Sequence, residues 1–465
     1  MTQGYAGPAG DLNYNSRQAF DPYEYTLYPA YIHSTMSTTR QRFFEVDDSQ
    51  YQLPPNAPSN PIMAEPLYVV GITVSSPAQG TCSGCNMLVA VTLNDTIFAW
   101  VADGTQAGNL LWSRQGDPSN SNNPPGNAGN ALWRDDCGLG GGPVPRSDTT
   151  PFMGILSTPV IDASGSTPEM FLTDWCQTSG STPMLQWNIH EINLKTGVDI
   201  TPSRWIGSSM DFGGSGFQDV NQTQRAALLE VPNPHSGGNP LVYLAFGTGT
   251  VEDNATAHPY NGWLLAYTTG SGALSPETGF PSVTPTSCGS GGGMYMGSNN
   301  GQCTTGNLGT PHCDCYLYNT AGYQNAPNWG GQGGGCWMSG HGPAATTAGA
   351  INSDGNVHVF LGCGNGGFQE FNGTTPDVSN NYGQSVMDFR VTSSGYDTSP
   401  FQSFTPRTPL SGVGPSLPSV CGDTGSGCAG CGACSYTFQA MNVPDWDQST
   451  GGLFCLTTSP GPNAW

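Results

Sequence analysis

Cys428, Cys431 and Cys434 fall at C-x-x-C spacing in CGDTGSGCAGCGACS, with Cys421 opening the run. Thiolates so spaced can wrap one metal ion, but such runs need a fourth, correctly placed thiolate. Disulfide stapling of a glycine-rich loop is the competing reading. No C-x-x-C pair is followed by histidine, which argues against covalent c-type haem attachment. In DWDQSTG, Asp445 and Asp447 alternate oxygen donors as a calcium loop does. They are the calcium candidates; the closing Glu of an EF-hand loop is missing, and a polar turn is the other reading. Asp135-Asp136 and Glu252-Asp253 are adjacent acids with no partner at a definable distance. His341 sits in the glycine-rich bend GGGCWMSGHGPAA, and His358 alternates with apolar residues in NVHVFLG as a strand residue would. No G-x-S-x-G elbow, H-E-x-x-H helix or P-loop is present.

Fifteen cysteines occur mostly in turn-like, glycine-rich sequence. Loops without a core of their own gain most from cross-links, so an oxidising compartment and at least five disulfides are expected. The candidates are Cys82, Cys85, Cys288, Cys303, Cys313, Cys315, Cys336, Cys421, Cys428, Cys431 and Cys434, with those in 283–336 and 421–434 stapling insertions. Charged residues are only 9% of the chain, beside 66 Gly and 38 Pro, so its surface must be built mostly from uncharged polar groups and backbone. The net charge of −22 repels phosphates and anionic lipid. Neither nucleic acid nor a membrane is an expected partner, and no apolar run reaches 18 residues. Sequons at Asn94, Asn221, Asn254 and Asn372 are compatible with export and decide nothing alone.

The elements that must carry these residues are strands. Short runs rich in β-branched and aromatic residues, among them NMLVAVTLNDTIFAWVAD, NPLVYLAFGTG and GWLLAYTTG, recur between Gly, Pro, Asn and Asp clusters. Sustained helical periodicity is absent. The runs group into about four units, near 65–116, 157–206, 224–282 and 338–406. An all-β β-propeller of about four recognisable four-stranded blades plus a partial fifth, with Gly/Cys-rich insertions near 283–335 and 407–438, is predicted; a β-sandwich is the alternative. Residues 1–39 read as an N-terminal arm and 40–465 as the propeller domain.

HEINLKTGVDITPSRW, which holds the one lysine of the chain, and NDTIFAWVADGTQAGNLLW share the order strand, polar turn, strand, tryptophan. They resemble repeats of the PQQ-like, or quinoprotein-type, β-propeller family. The phrases AEPLYVVGITV, MGILSTPVIDASG, NQTQRAALLEVPN, VYLAFGTG, GGGCWMSGHGPAA and NYGQSVMDFRV resemble exported bacterial propellers of that kind, across about residues 10–456. The resemblance implies that Trp112, Thr196, Gly197 and Trp205 pack one blade on another, with both tryptophans largely buried. Quinoprotein dehydrogenases also carry a vicinal disulfide, and no adjacent Cys-Cys pair exists in this chain. The resemblance therefore speaks for the fold more than for an activity.

Two functional readings follow. The first is a secreted or cell-surface, non-enzymatic propeller serving structure, assembly or interaction, a self-associating surface or filament subunit without a cofactor, calcium excepted. The second is a secreted quinoprotein-type dehydrogenase or polysaccharide-active propeller enzyme. By the same resemblance RQRFFEVDDS is a closing strand and GGLFCL opens a fifth blade that the chain does not complete. A fragment, a smaller ring, or strands supplied by a neighbouring subunit would each account for this. Strand supply from segment 1–40 is the favoured expectation and leads to a homo-oligomer or polymer.

Overall fold

The structure is a computed structural model that describes residues 62–74, 81–93, 95–115, 154–177, 185–206, 222–233, 239–248, 262–270, 272–277, 336, 338, 342–346, 355–363, 371–372, 375–376, 385–396 and 402–404. Within them every regular element is a strand, apart from one 3-10 turn at Gly104–Gln106. No helix among the described residues is long and apolar enough to cross a membrane.

The strands form antiparallel sheets that follow one another along the chain. Sheet one is β1 (Leu67–Val74), β2 (Cys82–Val91), β3 (Thr96–Val101) and β4 (Leu110–Gln115), in that order. Sheet two is β5 (Val160–Asp162), β6 (Glu169–Gln177), β7 (Leu185–Asn193) and an outer strand broken into β8 (Val198–Asp199) and β9 (Arg204–Ile206), both paired to β7. In sheet three the inner strand is the broken one: β10 (Gln222–Gln224) and β11 (Leu229–Val231) share β12 (Leu241–Thr248), followed by β13 (Trp263–Thr268) and β14 (Ser275–Pro276). Sheet four is β15 (Ala344–Ala345) and β16 (Val357–Cys363), then, past the small hairpin β17 (Phe371–Asn372) and β18 (Thr375–Pro376), β19 (Ser385–Thr392) with β20 (Gly395–Tyr396) and β21 (Gln402–Phe404) both on β19. Each main sheet is thus four strands wide, and the four correspond to the four sequence units.

Their sequences explain how they stack. A strand with one wet face alternates apolar and polar residues, whereas LVYLAF and WLLAY are apolar throughout because both faces are covered. In sheet two, Met170, Leu172 and Ile192 join the core shared with sheet one, while Phe171, Trp175, Trp187 and Ile189 join the core shared with sheet three. In sheet three, Val242, Leu244 and Phe246 turn back toward sheet two, and Leu241, Tyr243 and Ala245 turn forward toward sheet four. Successive sheets therefore lie face to face in series, and the pleat decides which seam each residue enters. Among the described residues no core cluster joins sheet one to sheet four, and the sheets form no closed barrel.

Backbone links reinforce the series. Gly154 N–H donates to Leu93 O and Ile155 N–H to Thr92 O, tying the β2–β3 turn to the approach into β5. Leu228 N–H donates to Thr158 O, joining the inner strands of sheets two and three, and Cys336 N–H donates to Phe246 O. The expected arm, both insertions, the closing strand and the fifth-blade strand lie outside the described residues.

Candidate functional site

The ionisable residues of the described strands collect in the seams, and two groups stand out. The first lies between sheets one and two. His190 on β7 and Asp174 on β6 are diagonal neighbours, since His190 pairs with Leu172 and Asp174 with Asn188. This brings His190 Nε2 to 2.9 Å from Asp174 Oδ2. On its other side His190 Nδ1 lies 3.4 Å from Asp199 Oδ1. Arg114 reaches over from β4, its Nη1 donating to Asp199 Oδ1 at 3.2 Å and to Gly197 O at 3.0 Å. Two cations and two carboxylates thus alternate in a buried row.

The electrostatics follow from that order. Burial disfavours the His190 imidazolium, but the Asp174 and Asp199 carboxylates outweigh it and raise its pKa well above the usual histidine range. For Asp199, burial pushes upward and the Arg114 and His190 charges prevail, holding the carboxyl below its ordinary value. Charges taken out of water are tolerated when they are paired, and each member of this row has an oppositely charged neighbour.

Trp112 and the turn after β7 sit beside it. The indole Nε1 donates to Leu194 O at 2.9 Å, and Trp112 is buried. Gly197 has φ +71°, and a Cβ there would meet the Trp112 ring at 2.6 Å, so only glycine fits beneath the indole. Thr196 shapes the turn, its Oγ1 accepting from Val198 N–H at 3.3 Å. Trp205 is partly buried, and its pairing with Asn188, on the Asp174 row, places it on the face toward the neighbouring sheet one. The break between β8 and β9 leaves that face unchanged, because the register shifts by two residues across it.

The second group lies between sheets two and three. Asp162 pairs with Glu169 across β5 and β6, Glu191 is diagonal to Glu169, and Glu230 comes from β11 on the row of Val242. Glu191 accepts from Thr201 Oγ1 at 3.0 Å and from the Gly270 N–H. Glu230 is 1% exposed, and its Oε2 has no hydrogen-bond partner. Burial, followed by the charges of Glu191 and Asp162, raises Glu169 to about 7. Burial, then the charges of Asp162, Glu169 and Glu191, raises Glu230 well above the ordinary glutamate value.

Sheet four repeats the His–Asp diagonal with the strands exchanged. His358 on β16 has Nδ1 2.9 Å from Asp388 Oδ1 on β19, both buried. His358 is thus a strand residue with a carboxylate partner.

Of the disulfide candidates, Cys82 bonds to Cys85, and Cys336 bonds to Cys363. Cys336 therefore does not staple the insertion that precedes it; it sits in the core between sheets three and four, beside the end of β16. Cys288, Cys303, Cys313, Cys315, Cys421, Cys428, Cys431 and Cys434 lie outside the described residues. So do His341, the acid pairs Asp135-Asp136 and Glu252-Asp253, and the calcium candidates Asp445 and Asp447. Among the described residues no three His, Cys, Asp or Glu are arranged to hold a metal ion. Neither seam group was singled out from sequence. The signal for them was charge inside apolar strands, in FLTDW, NIHEIN and LLEV, in a chain so poor in charge.

No protein-family model matches the chain, and no curated protein matches it.

Proposed function

We propose that this chain is a secreted or cell-surface β-propeller of the PQQ-like type that works as a non-enzymatic structural and assembly module and associates with copies of itself. The observation that carries the reading is where the ionisable groups go. Arg114, Asp174, His190, Glu191, Glu230, His358 and Asp388 are each at most 2% exposed, and the first five lie in the seams between neighbouring sheets. Such groups stiffen and register a stack; they are not presented to a substrate. The propeller reading draws on four meander sheets packed in series, with β11 in contact with both β5 and β15 as inner strands around one axis would be. Two disulfides support an oxidising compartment. Self-association draws on sheet edges and on the exposed apolar side chains of Val70, Val198 and Ile200.

Sedimentation velocity and electron microscopy of purified native protein, with an absorbance scan for quinone, test the reading. Regular oligomers or filaments without a quinone band are expected. A strictly monomeric protein that carries a quinone chromophore would replace it with the dehydrogenase reading.

A further inference from the structure

Four carboxyl groups converge on one end of the seam between sheets two and three. Sheet two contributes Asp162, Glu169 and Glu191, whose strand pairings put them on the face toward sheet three. Sheet three contributes Glu230, which shares its face with Val242 and Leu244 of the tryptophan-rich core. The charges that act on Glu230 are all negative. Of the basic groups, Lys195 and Arg114 have partners away from the cluster. Lys195 Nζ donates to Ser166 O, Arg114 serves Asp199 on the opposite face, and Arg204 lies farther along β9, opposite Ile189. Arg225 sits between β10 and β11, where burial lowers its pKa. Asp199 adds a further negative charge behind Glu191. Four carboxylates cannot all be ionised here with Glu230 sealed from water and its Oε2 unpartnered.

We propose that protons close this seam: Glu169, Glu191 and Glu230, clustered beside Asp162, take up protons as sheets two and three pack, and the seam loosens when they ionise. This makes the inter-sheet contact a pH-sensitive device, tight in mild acid and slack in alkali, and it stands independently of the scaffold reading.

The direction of the proton linkage agrees. Glu169, Glu191 and Glu230 all have raised pKa values in the fold, Glu169 at about 7. The folded chain therefore binds more protons than the unfolded chain above about pH 4.5, the ordinary glutamate value. The stability they contribute is complete below that value and is lost as pH rises through the folded pKa values, about 7 for Glu169.

Thermal unfolding and amide exchange of the full chain at about pH 5 and about pH 8, in chelator and in calcium chloride, provide the test. Wild type is expected to lose several degrees of Tm between the two pH values. After correction for intrinsic exchange, β5 and β11 should lose on the order of tenfold in protection, a factor of ten being one pKa unit. Glu230→Gln should match wild type at the acid pH and exceed it at the alkaline one, and Glu169→Gln, at the wetter end of the cluster, gives an independent reading if the first variant does not fold. Equal losses in wild type and the variants would overturn the proposal. So would calcium restoring the alkaline values of wild type to the acid ones, because the seam would then be closed by a cation.

Discussion

The Trp112 indole donates its N–H to the Leu194 carbonyl across 82 residues of sequence, at 2.9 Å, and the ring lies against Gly197 in the same turn. One side chain of sheet one thereby fixes the position of a hairpin in sheet two. Trp112→Ala should cost about 3–5 kcal/mol through the cavity it leaves, and Trp112→Phe roughly 1–3 kcal/mol, much of it from the unsatisfied Leu194 carbonyl. Urea unfolding monitored by circular dichroism would measure both.

Glycine at position 342 is required by a neighbour rather than by its own dihedral angles. A Cβ there would lie 2.2 Å from the Ala227 carbonyl oxygen, which belongs to the backbone of sheet three and cannot rotate away. Gly342→Ala should therefore separate sheets three and four locally and lower stability by about 1–3 kcal/mol. Gly165→Ala, which has no positive φ and would meet only ordinary contacts from 3.5 Å, is the control for the loss of glycine alone. A Gly342 variant no less stable than this control would remove the close approach as a cause.

How much of this was legible in sequence depended on the range of the signal. Strand existence and the four units could be read from runs such as LVYLAF, because β-branched and aromatic content between turn residues is local information. The sheet-to-sheet order follows from which face each residue occupies, and in a strand apolar on both sides no periodicity marks the face. Trp205 illustrates the limit: its spacing copies that of Trp112, but only its register with Asn188 places it on the face toward sheet one. The seam charges needed two strands and a register before they became a group. Asp174 and His190 are ordinary residues when read apart, and only their diagonal pairing across β6 and β7 makes them neighbours.

The Cys336–Cys363 disulfide spans 27 residues and ties the approach to sheet four to the end of β16. In the chain-entropy account a loop of that size is worth about 3–4 kcal/mol. Cys363→Ser should lower the unfolding free energy by that order and leave a Cys336 thiol that alkylates once the unreduced protein is denatured, which mass spectrometry would detect. Native protein that alkylates at both positions would contradict the bond.

The row Arg114–Asp199–His190–Asp174 predicts a coupled response rather than a sum of single effects. Removing Arg114 leaves Asp199 buried beside one cation in place of two, so Arg114→Met should cost about 3–5 kcal/mol. Asp199→Asn strips both cations of a shared partner and should cost a similar amount. The double variant removes the broken contact from both sides and should fall short of the sum by about 1–3 kcal/mol. Full additivity would mean that Arg114 acts through the Gly197 carbonyl alone. The pH response has a definite sign. His190 has its pKa raised in the fold, so its contribution is complete below its unfolded value of about 6.5 and is lost as pH rises through the higher folded value. Nitrogen chemical shifts of the His190 ring should show both nitrogens still protonated in wild type above the ordinary histidine value of about 6.5. In Asp199→Asn, with one carboxylate gone, the imidazole should release its proton at lower pH; a ring already neutral in wild type under those conditions would break the proposed alternation of charge.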